Sequence, residues 1–101
     1  MSNMTQTGSL QLSSGNDSAK IGGDTSTFTT VSFPTPFPSG STVIVIPMVQ
    51  TFNGPDTPGI RIADVNLSGF KIRLNEVVGG LGTIADGKHT TETIGWAAYT
   101  V

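Results

Sequence analysis

The chain has 101 residues, enough for one domain around a single core, with 36% hydrophobic and only 12% charged residues. A net charge of −2 and a pI near 4.9 exclude the basic stripe with which proteins displace counterions from nucleic acid. Cysteine is absent, and no apolar run approaches the roughly 20 residues of a membrane helix, so disulfide bracing, thiolate chemistry and membrane insertion are not expected.

Residues 1–7 read as a flexible polar arm ahead of a domain spanning residues 8–101. Met1-Ser2-Asn3-Met4-Thr5-Gln6 has neither the basic patch nor the apolar run of a secretory signal. The strict alternation Ser9-Leu10-Gln11-Leu12-Ser13 predicts a half-buried strand. Ser14 to Asp24 is a Gly, Ser, Asn and Asp loop. A second strand is expected over Thr27 to Phe33, with Thr29, Val31 and Phe33 on one face and Phe28 on the other. Pro34, Pro36 and Pro38 remove backbone donors, so Phe33 to Gly40 should be an extended edge or a turn.

Thr42 to Gln50 is the most apolar strand, with Ile44 and Ile46 opposite Val43 and Val45. A strand apolar on both faces needs two covers. One is the core; the other is either a neighbouring copy, the favoured reading, or the chain's own loops. A long turn, Phe52 to Gly59, leads to a strand over Arg61 to Val65. Leu67-Ser68-Gly69 then turns into Phe70-Lys71-Ile72-Arg73-Leu74, whose alternation puts Phe70, Ile72 and Leu74 inward and Lys71 and Arg73 outward. Val77 to Gly87 reads as an inserted loop. Thr93 to Val101 closes the chain, with Ile94, Trp96 and Ala98 on one face and Ala97, Tyr99 and Val101 on the other. About six strands between Gly and Pro turns, with no helical period, predict an all-β, six-stranded antiparallel β-sandwich.

Chemistry concentrates in one place. Asp86, Lys88, His89 and Glu92 fall within seven positions, just ahead of the single Trp. The run is either a solvated hairpin loop or a recognition loop for a polar ligand. His89 with Asp86 or Glu92 could activate a hydroxyl, but no nucleophile motif accompanies it, so no enzyme is expected. Asp86, His89 and Glu92 also offer one nitrogen and two carboxylates to a bridging or structural cation. Residues three apart on a strand point to opposite faces, so that set needs a curled loop, and the expected cofactor is none. Asp17, Asp24, Asn53, Asp56, Asn75, Glu76, Asp86 and His89 supply loops with the fixed donors and acceptors that sugar recognition needs. The same residue types are also ordinary turn formers.

Several of these motifs occur in a familiar order. Val31-Ser32-Phe33-Pro34-Thr35-Pro36-Phe37 precedes an apolar strand, then Gly69-Phe70-Lys71-Ile72, then Ile94-Gly95-Trp96-Ala97-Ala98-Tyr99. Over residues 8–101 this resembles the H-type lectin domain of snail agglutinins and discoidins, and related C-terminal domains of phage tail fibres. Gln50-Thr51-Phe52-Asn53-Gly54 and the run from Asp86 to Glu92 are similar to H-type-like modules of bacterial proteins. The resemblance implies a homotrimer that binds N-acetylgalactosamine-like sugars of cell-surface glycans between subunits. It implies sugar contacts from Gly22 and Asp24 in Gly22-Gly23-Asp24, from Arg61, and from the position held here by Asn75 and Glu76. That position lacks the family's aromatic–His pair, and Asp86 and His89 lie beyond it, with His89 placed to replace the missing His. The alternative is a virion structural or adhesion module, a fibre tip or capsid decoration with other virion proteins as partners.

Overall fold

The computed structural model describes residues 4–15, 21–54, 57–76 and 87–101. They form an all-β, sandwich-like fold of two three-stranded antiparallel sheets, in the orders β1-β6-β3 and β2-β5-β4. The strands are β1 (Thr5–Ser14), β2 (Thr29–Ser32), β3 (Val43–Val49), β4 (Pro58–Ala63), β5 (Gly69–Glu76) and β6 (His89–Thr100).

The central strands β5 and β6 carry the core. Phe70, Ile72 and Leu74 are almost fully buried, as are Ile94 and Ala98. Fully burying one such large side chain contributes about 1.5–3 kcal/mol. A slip of one residue would expose the whole set, so burial fixes the register. The two sheets meet at an aromatic cluster. Phe33 packs edge-on against Phe37 at 5.0 Å, and Trp96 edge-on against Phe70 at 5.4 Å. Gly8 faces Trp96 across β1 and β6, and any Cβ there would overlap the indole ring.

The strands differ somewhat in extent from their sequence patterns, β2 spanning only Thr29–Ser32, and three of the differences have a clear physical reason. β1 begins at Thr5, so part of the expected polar arm pairs with Tyr99, Ala98 and Ala97 of β6. Gln6 explains some of this. Its side-chain amide donates to the Thr35 carbonyl at 2.6 Å and accepts from the Thr35 N–H at 3.0 Å. That clasp supports the proline-rich segment, where Phe33 and Phe37 donate their N–H groups to Ser68 and Leu67. β4 occupies Pro58–Ala63 rather than Arg61 to Val65. It stops because Asp64 adopts φ 51°, which a strand cannot contain. Asn66 then closes the hairpin, its Oδ1 accepting the N–H groups of Ser68 and Gly69. Gly69 has no alternative there, because a Cβ would collide with the Val31 carbonyl. Finally, β6 starts at His89, four residues before the expected Thr93.

The outer faces of the sheets differ. On β3, Ile44, Ile46 and Met48 remain 38%, 52% and 64% exposed. They pair with Tyr99, Ala97 and Gly95 of β6, which share that face. On the other sheet Lys71 and Arg73 point away from the core, as the alternation predicts. Arg73 is nonetheless buried: the segment before β2 lies over it, and its guanidinium donates to Thr27 Oγ1 at 2.8 Å. Lys71 reaches Thr25 Oγ1 and pairs with Asp64.

Candidate functional site

The segment before β2 builds a cleft on the outer face of the second sheet. Asp24 N–H bonds back to the Ile21 carbonyl at 3.1 Å. Gly23 takes φ 84° while Gly22 does not, which gives a type II turn whose third position favours glycine. Asp24 Oδ1 then accepts the Ser26 N–H at 3.1 Å. Hydrogen bonds from the Ser26 side chain and backbone hold the Asp24 carboxyl below its ordinary value of 3.8, so it is ionised at neutral pH. Gly22, Gly23 and Asp24 line a cavity of about 130 Å³ with Phe28, Arg61 and Asp64. Phe28, which the two-face pattern left without a place, is half-buried as the cleft's aromatic wall.

Three of the sequence-derived residues, Gly22, Asp24 and Arg61, thus meet in one cleft. Asn75 shares their face of the sheet. Arg61 pairs with Arg73 and Gly59 with Asn75, so Asn75 is one step diagonal to Arg61. Glu76 ends β5 opposite Pro58. Asp86 lies outside the described residues, as do Asp17, Asp56 and residues 77–86 of the expected insertion.

His89 is elsewhere. It opens β6, buried, and is part of neither a solvated hairpin nor this cleft. Its Nε2 lies 2.7 Å from Glu92 Oε2 and 3.1 Å from the Asn53 carbonyl. Both neighbours are acceptors, so Nε2 carries the hydrogen. The rule that residues three apart on a strand diverge fails here, and the register shows why. Leu12 pairs with Glu92 and Ser14 with His89, so Thr90 and Thr91 together oppose the single Ser13. This β-bulge returns the two side chains to one side.

Glu92 is the functional-looking residue whose role the sequence hid. It is 1% exposed. Oε1 accepts from Thr51 Oγ1 at 2.8 Å and from the Asn53 N–H at 3.0 Å, while Oε2 accepts from His89. Burial pushes its pKa up. The hydrogen bonds from His89, Thr51 and Asn53, with the His89 charge, outweigh burial and hold it below 4.5. The surrounding segment is laced to β6 as well. Thr51 Oγ1 accepts the Thr93 N–H, Gln50 N–H donates to the Thr93 carbonyl, and Asn53 Nδ2 donates to the Thr91 carbonyl. The two stretches likened to bacterial modules are therefore joined in space. The only clue in the sequence was their presence in the same chain.

Among the described residues no three His, Asp or Glu side chains are arranged to hold a metal ion, and no helix is long and apolar enough to cross a membrane. Comparison with protein-family models, curated proteins and solved structures found no match.

Proposed function

We propose that this protein is a non-enzymatic, lectin-like carbohydrate-binding module that works as a homotrimer and takes N-acetylgalactosamine-like sugars. The observation that carries the reading is the cleft in which the segment before β2 sets Asp24 and the Phe28 ring beside Arg61 of β4. A carboxylate and a guanidinium offer paired acceptors and donors to sugar hydroxyls, and an aromatic wall suits the apolar face of a pyranose. Arg61 also sits directly across from Arg73. Like charges at paired positions weaken a sheet, which favours a role for the exposed Arg61 beyond stability.

The bare stripe of Ile44, Ile46 and Met48 supports assembly, because an apolar sheet face at an edge strand invites a second copy. Linked copies would then raise avidity without new contacts. Glycan-array binding by the full chain is expected, and Asp24→Ala should abolish the N-acetylgalactosamine-type signals that depend on the Asp24–Arg61 cleft while leaving the fold intact. Absence of binding to every glycan, at concentrations where the oligomer persists by light scattering, would remove the reading. Ile46→Lys should convert the trimer to a monomer. A wild-type chain that is already monomeric at high concentration would exclude sites between subunits.

A further inference from the structure

A second cavity, of about 290 Å³, opens between β3 and β4 and is lined by Val49, Thr51, Phe52, Asn53, Thr57, Pro58 and Glu92. Phe52 stands at its rim, 92% exposed. An aromatic side chain this exposed on a loose loop would carry little meaning. Here the backbone on both sides of it is pinned. Thr51 and Asn53 both bond to the buried Glu92 carboxylate, and Asn53 also bonds to Thr91. Gly54, at φ 80°, brings the chain close against His89 and Thr90. A fully buried acid is committed to fixing the residues around an exposed phenyl ring. Pre-organisation of this kind reduces the ordering cost of binding.

We infer that this groove binds a single neutral pyranose ring, stacked by its C–H face on Phe52 and held at its hydroxyls by Thr57 and Asn53. It deepens the carbohydrate-binding reading and rests on it for the ligand class, but it shares no residue with the Asp24–Arg61 cleft. The lining selects this ligand. Val49, Phe52 and Pro58 are apolar, and the one charge among the described lining residues, on Glu92, is already taken up by Thr51, Asn53 and His89. Among the described lining residues an ionic ligand would find no free counter-charge. The Asn53 amide nitrogen is engaged with Thr91, which leaves its carbonyl oxygen as an acceptor for a hydroxyl. The volume lies just under the range of pockets for drug-sized molecules, which suits one ring. A second copy of the chain is the wrong occupant on geometric grounds. Val49 and Glu92 belong to the inward-facing set of their strands, whereas the apolar stripe of β3 lies on the opposite face.

The test is amide chemical-shift mapping of the full-length protein titrated with neutral methyl glycosides of galactose, glucose and mannose. At least one should shift Phe52, Asn53 and Thr57. Phe52→Ala should weaken that response by about tenfold, the usual loss when an aromatic anchor is truncated. Phe52→Trp should retain it, and Asp24→Ala should leave it unchanged. Shifts confined to the Asp24–Arg61 cleft would overturn the groove and leave the first site standing. Shifts at Phe52 that survive Phe52→Ala would also overturn it. So would a change of oligomeric mass in Phe52→Ala, which would mark the groove as a contact between copies.

Discussion

Asp24 and Glu92 are both carboxylates held below their ordinary pKa values, yet they serve opposite ends. Asp24 lies in solvent on a glycine turn, stabilised by Ser26, and lines a cleft with Arg61 and Phe28. Glu92 is sealed, and its lone pairs are taken by Thr51, Asn53 and His89. The first retains acceptor capacity for a ligand. The second has spent its capacity on the fold. A buried acid with short hydrogen bonds is therefore no sign of a binding residue unless some acceptor capacity is left over.

The largest break in this comparison should come from Glu92→Gln. The amide turns one acceptor into a donor facing N–H groups, leaving buried donors unpaired. It should give the largest fall in thermal midpoint of any substitution named here. The same variant separates the acids by pH. Glu92 is held below 4.5 in the folded chain. Its contribution is therefore complete above that value and is lost as pH falls through the lower, folded value. Wild-type stability should drop more steeply in that acid range than that of Glu92→Gln. Equal slopes would show that the Glu92 charge adds nothing.

Thr51→Val comes next. It removes one donor to Glu92 and the acceptor of the Thr93 N–H, and should cost about 1 kcal/mol by denaturant melt. The smallest stability effect belongs to Asp24→Ala, whose thermal midpoint should match wild type even as sugar binding at its own cleft disappears. A large loss of stability in that variant would put Asp24 in the same class as Glu92.

The sequence could be read wherever side chains follow a period of two. Phe70, Ile72 and Leu74, and Ile94, Trp96 and Ala98, point inward as their alternation requires. The start of β1 was not readable, because Thr5, Gln6 and Thr7 are polar on both faces and their pairing rests on backbone bonds to β6. The burial of Arg73 comes from a cover supplied some 46 positions earlier in the chain, by Thr27. Gly22, Asp24 and Arg61 were found through likeness of motif, and the fold brings them together. Phe28 breaks the two-face pattern of the expected second strand, and nothing in the sequence says that it turns toward Arg61. His89 and Glu92 read as loop residues in the sequence, since alternation carries no mark of a bulge.

That bulge has a consequence for length variation. Thr90 and Thr91 occupy the space of one residue, so β6 runs in a different phase on either side of them. Deleting either threonine would restore an unbroken pleat with His89 and Glu92 two positions apart, still on one face and still opposite Ser14 and Leu12. A chain shortened by that single residue should therefore keep both its aromatic centre and the ordered rim that holds Phe52, making the extra threonine dispensable to the imidazole–carboxylate pair.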